Sequence, residues 1–105
     1  MTDHELLELA AKAAGIGRTA WDYEHTRSLG FMVTKKSMWN PLEDDGEALR
    51  LAVKLGIDIK GSMAHANWRY AVYDGSTYAE MSTDHAKATR RAIVRAAAAI
   101  GESMP

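Results

Sequence analysis

Four cations near the end of this chain have a spacing that could do chemistry. Lys87, Arg91 and Arg95 recur every four residues, Arg90 lies beside them, and no acidic side chain falls between His85 and Gly101. On a helix that spacing draws the charges into one ridge about two turns long. Such a ridge could contact phosphates, and binding of that kind would fall with salt. The simpler expectation, which we favour, is a solvated face whose late cations suit the negative end of the helix. Ala86, Thr89, Ile93, Ala96 and Ile100 would then be buried opposite. Four cations without a base-reading module would support non-specific nucleic-acid contact at most.

The aromatic residues Trp21, Tyr23, Trp39, Trp68, Tyr70, Tyr73 and Tyr78 form the second group. Exposed on a sheet they could stack nucleobases or anchor a partner protein. A small sheet packed by alanine-rich helices also needs aromatics to fill its core, so Trp21, Trp39 and Trp68 are assigned there. Tyr70 and Tyr73 have opposite parity on one strand, so one of them is expected to face away from the helices and to offer a partner surface.

Other arrangements carry less. His4 and Glu8 stand four apart on a helix and could share a metal, but His25, His65 and His85 are scattered and supply no convergent set. Asp44, Asp45 and Glu47 have the composition of an acid–base or magnesium site, yet capping and the helix dipole already account for them. Ser82, Asp84 and His85 have the residue types of a nucleophilic triad, but sequential neighbours rarely supply its geometry and no nucleophile elbow accompanies them. The chain has no cysteine, which removes disulfides, thiolate metal sites and cysteine nucleophiles together. The expectation is a non-enzymatic protein with no catalytic residues, no metal and no cofactor.

These residues must be positioned by 105 residues, enough for one domain with one core. A hydrophobic content of 47% with 26% charged residues is ordinary for a folded protein. Residues 1–56 carry seven bases and nine acids, and residues 57–105 carry six and five, so the halves stand at −2 and +1 and show no strong asymmetry. That balance argues neither for nor against a polyanionic partner. No stretch approaches the roughly 18 apolar residues of a membrane span, and the start, Met1-Thr2-Asp3-His4-Glu5, is acidic rather than basic like a signal peptide. A cytoplasmic protein is expected.

The element that organises the chain in this reading is the stretch from Trp39 into a central helix. Pro41 fixes its own φ and pushes Asn40 towards extended geometry, so a strand ending at Trp39 is followed by a forced turn. Asp44 caps the central helix, expected from Glu47 to Leu55, with Glu47 at the capping-box position. Ala48, Leu51, Ala52 and Leu55 then form an apolar stripe that Leu49 and Val53 widen. Gly56 ends it as a left-handed cap, with Ile57 folding back.

A first helix is expected from a Thr2/Glu5 capping box to Gly15, and Gly15-Ile16-Gly17 reads as a helix end rather than a dinucleotide loop. Residues 20–24 and Leu29, Phe31 and Val33 are candidate strands, and Ile57 and Ile59 a short one. Trp68, Tyr70 and Val72 share a parity, Asp74-Gly75 is a hairpin turn, and Thr77, Ala79 and Met81 return. Ser82-Thr83-Asp84 caps a last helix from about His85 to Ile100, ended by Gly101, with a frayed tail over residues 102–105. The expected fold is a single α+β domain over residues 1–105. It has two layers, an antiparallel sheet of about four strands with three helices on one face, in the order α-β-β-α-β-β-α.

The wording Trp39-Asn40-Pro41-Leu42, then Asp44-Asp45-Gly46 and residues 48–55, together with residues 88–98 of the last helix, resembles a group of small uncharacterised phage and prophage accessory proteins. More distantly it is similar to the NinX family of lambda-like phages, which also place an Asn-Pro turn before a central helix and an alanine- and arginine-containing helix at the end. The resemblance implies a phage accessory protein acting in a bacterial cytoplasm on host or phage components, and it implies no catalytic or ligand-binding residues. The leading expectation is therefore a protein-interaction module that uses its sheet face or strand edges. Nucleic-acid binding through the basic ridge is the alternative, and a homodimer is a further expectation.

Overall fold

The computed structural model describes residues 1–15, 32–33, 38–62 and 66–105. Its order is α1 (Asp3–Ala14), β1 (Met32–Val33), β2 (Met38–Trp39), α2 (Asp45–Leu55), β3 (Asp58–Gly61), β4 (Trp68–Tyr73), β5 (Ser76–Met81) and α3 (His85–Ser103).

Each helix starts where a side chain can accept from an otherwise unbonded N–H of the first turn. Thr2 accepts from the Glu5 N–H at 3.2 Å, Asp44 from the Glu47 N–H at 3.0 Å, and Asp84 from the Lys87 N–H at 3.0 Å. Ahead of α2 the Asn40 carbonyl accepts from the N–H groups of Glu43 and Asp44, while its Oδ1 accepts from the Leu42 N–H at 3.1 Å. The turn is tied down by packing as well, since Trp39, Pro41 and Leu42 are all buried. At the far end Gly56 takes a left-handed φ of 71°, Ile57 donates its N–H to the Ala52 carbonyl at 2.9 Å, and the Ile57 side chain is buried. Gly46 lies inside the first turn of α2.

The sheet is antiparallel in the order β3-β4-β5. Asp74 and Gly75 both adopt positive φ, 48° and 79°, as the type I′ turn of a two-residue hairpin requires. Register is set by the pairs Trp68↔Met81, Tyr70↔Ala79 and Val72↔Thr77 on one side of β4, and Asp58↔Val72 and Lys60↔Tyr70 on the other.

The expected topology is overturned. Among the described residues the sheet has three strands rather than about four, all of them after α2, so its framework reads α-α-β-β-β-α. The earlier β1 and β2 pair with each other as a separate two-residue ladder, Met32 with Trp39 and Val33 with Met38. The candidate strand over residues 20–24, like Trp21 and Tyr23, lies outside the described residues. A strand joins a sheet only if its neighbour presents an edge in register. The Gly56 cap turns the chain so that residues 58–61 meet that condition beside β4.

The expected arrangement of helices over one sheet face also needs correction. Among the described elements α3 is the main cover of the β4 and β5 face, while α1 and α2 pack chiefly on α3. The molecule is therefore built in tiers, with α3 in the middle. Ala88, Ala92, Ile93, Val94, Ala96, Ala97 and Ala98 are all buried, more than one stripe of a surface helix would supply. Small side chains let the sheet and two helices approach it together.

Closest approach occurs at Gly101, where an added Cβ would sit 2.0 Å from the Leu9 carbonyl oxygen. Gly101 is thus an interior crossing point and not the helix end that its type suggests. The helix runs on to Ser103, and the Met104 carbonyl accepts from Lys12 Nζ at 3.0 Å.

Candidate interaction surface

Parity along β4 separates two faces. Ala71 is fully buried and Tyr73 packs against the core, so Arg69, Ala71 and Tyr73 point towards α3 and Trp68, Tyr70 and Val72 point away. The register extends this outer face to Met81, Ala79 and Thr77 on β5 and to Lys60 and Asp58 on β3. Trp68 and Tyr70 stack, their ring centroids 6.4 Å apart and their planes 12° from parallel. Met81, opposite Trp68, is 64% exposed.

Of the two tyrosines singled out, Tyr70 thus lies on the outer face and Tyr73 on the helix side. Trp68 is the residue that sequence reasoning misplaced, because it was assigned to the core. Its signal was present. Trp68 shares parity with Tyr70, and Ala71 between them is the small side chain that a closely packed helix demands.

The basic ridge is bound into the fold. Arg90 donates through Nε to the Leu42 carbonyl at 2.8 Å and through Nη1 to Asp45 at 2.7 Å, and its side chain is 14% exposed. Arg91 donates to Asp3 at 2.8 Å and lies 3.6 Å from Glu80. Arg95 pairs with Glu80 and donates to the Ala79 carbonyl at 2.8 Å. These three side chains clamp α3 to the turn before α2, to α1 and to β5. Lys87 is exposed, and its backbone N–H serves the Asp84 cap. Of the residues expected opposite the ridge, Ile93 and Ala96 are buried whereas Ala86 is exposed.

The carboxylates before and within α2 do not converge. Asp44 caps, Asp45 holds Arg90, and Glu47 accepts from Arg50 at 2.7 Å. That bond to Glu47 and the attraction behind it hold the exposed Arg50 guanidinium above its ordinary pKa. His4 Nε2 lies 3.9 Å from Glu8 and His85 Nε2 lies 3.2 Å from Asn67 Oδ1, while His25 and His65 fall outside the described residues. Among the described residues no three His, Asp or Glu side chains gather as a metal site, and no helix is long and apolar enough to cross a membrane.

A second surface feature is a shallow hollow of about 350 Å³ between α2, β3 and the first turns of α3, lined by Ala48, Leu49, Ile59, Ala86 and Ile93, with Asp45 and Arg90 at its rim. The α2 stripe is narrower than expected. Leu49 and Val53 are 56% and 74% exposed, leaving Ala48, Leu51 and Ala52 to form the buried contact.

No protein-family model matches the chain, and searches of curated proteins and of solved structures find no match either. Function is therefore read from the surfaces themselves. An outer sheet face with stacked aromatics and few charges can bury apolar area against another protein.

Proposed function

We propose that this chain is a non-enzymatic protein-interaction module whose outer sheet face docks on a partner protein. The observation that carries this reading is the stacked Trp68–Tyr70 pair, flanked by Val72 and Met81, on the face of the sheet opposite α3. Aromatic rings offer a large contact area for little lost side-chain freedom, which is why they concentrate the energy of protein interfaces. The phage-like wording around Trp39 and along the last helix supports a setting: a phage or prophage accessory protein acting on a host or phage protein in the bacterial cytoplasm. Nucleic-acid binding through Lys87, Arg90, Arg91 and Arg95 has less support, because a guanidinium already paired with a carboxylate contributes little to phosphate attraction.

The test is capture from nuclease-treated bacterial lysate with the wild-type chain and with a Trp68→Ala/Tyr70→Ser variant, read by mass spectrometry. A protein retained by the wild type and lost at least tenfold from the variant, with both chains melting alike, is the expected result. Equal retention by the two baits would reject the face.

A further inference from the structure

The edge of the sheet is a surface distinct from the outer face proposed to dock a partner. We propose that β3 is the seam of a symmetric homodimer, in which the β3 strands of two copies pair antiparallel about Ile59.

Among the described strands β3 bonds to β4 on one side only, and all four of its residues are exposed. Among the described residues its far edge is open, with outward N–H and C=O groups that can template another strand. Charge selects the occupant and the register. A two-fold axis through Ile59 sets Asp58 against Lys60 of the partner subunit and Lys60 against Asp58 of the partner subunit, two cross-strand pairs of opposite charge on one face. An axis through Asp58 would oppose two aspartates, and one through Lys60 two lysines. An axis between residues would set Ile59 against a residue of the other parity and turn the two inner faces to opposite sides. The Ile59 axis is the residue-centred one that satisfies both charges.

The same axis joins apolar surface. Ile59 is 42% exposed on the inner face and shares its hollow with Leu49, and Val53 continues the Leu49 stripe one turn along α2. These are half of the six large hydrophobics left exposed among the described residues. At the seam, Ile59 meets Ile59 of the partner subunit on the side of the sheet that α2 occupies. The result is a continuous six-stranded antiparallel sheet, twice the three strands of one copy.

The experiment is sedimentation equilibrium of the full chain with Asp58→Lys, with Lys60→Asp, and with an equimolar mixture of the two. Wild type should rise with concentration from 11.5 kDa towards twice that mass. Each single variant opposes like charges twice across the seam and should dimerise about tenfold more weakly. The mixture should recover heterodimers, since a strand with two lysines then meets a strand with two aspartates. In the wild type, exchange of the Asp58–Gly61 amides should slow as concentration rises, a readout that needs no substitution. A wild type that stays at monomer mass up to its solubility limit, or single variants that dimerise as tightly as wild type, would overturn the seam. So would a mixture no tighter than its components.

Discussion

Gly101 has no room for a methyl group. Its α-carbon faces the Leu9 carbonyl so closely that an added Cβ overlaps backbone, and backbone can yield only by moving α1 away from α3. Gly101→Ala should therefore cost about 3 kcal/mol, the upper part of the range for overpacked cores, despite alanine's better helix propensity. Urea denaturation measures this, and a midpoint at or above wild type would mean that the two helices do not cross there. Arg90 illustrates a different constraint. Its guanidinium is mostly buried and serves the Leu42 carbonyl and Asp45 at once, so it fastens the turn before α2 to the central helix.

Helix α2 shows how an amphipathic pattern can overstate burial. Leu49, Leu51 and Val53 all look like core in the apolar stripe, but α2, which packs chiefly on α3, buries only Ala48, Leu51 and Ala52. Leu51→Ala should cost about 2–4 kcal/mol through the cavity it leaves, whereas Val53→Glu should stay within about 0.5 kcal/mol of wild type. Thermal melts at dilute concentration separate the two, and equal losses would put Val53 in the core. The β4–β5 hairpin needs no such help from tertiary context, because Asp74 and Gly75 supply both positive φ values that its tight turn demands.

The tiers place a nearly neutral protein around one central helix. Net charge is −1 and the sequence pI is about 6.4. With Arg90, Arg91 and Arg95 each engaged by a carboxylate, little positive potential is left for a polyanion. Binding to duplex DNA at physiological salt should be no tighter than the weakest non-specific range, a Kd of about 10⁻⁴ M. Fluorescence anisotropy of a labelled duplex checks this. A Kd near 10⁻⁶ M that rises steeply with salt and weakens in Lys87→Gln would restore the ridge as a nucleic-acid site.

Local chemistry was legible in the residues. Thr2, Asp44 and Asp84 as caps, Gly15 and Gly56 as left-handed helix ends, the Asn40-Pro41 turn and the Asp74-Gly75 hairpin all follow from interactions spanning a few residues. Parity likewise put Tyr70 and Tyr73 on opposite faces. The fates of Gly101 and the arginines were not legible, because each depends on a partner far away in sequence. Which face of β4 is covered depends on where α3 lies, and the glycine at 101 answers to Leu9. Arg91 pairs with Asp3 across 88 residues. Capping and turn energies are decided within the segment itself, whereas burial and ion pairing are decided by whichever surface the rest of the chain brings up. The sheet's membership and the central place of α3 belong to that second kind.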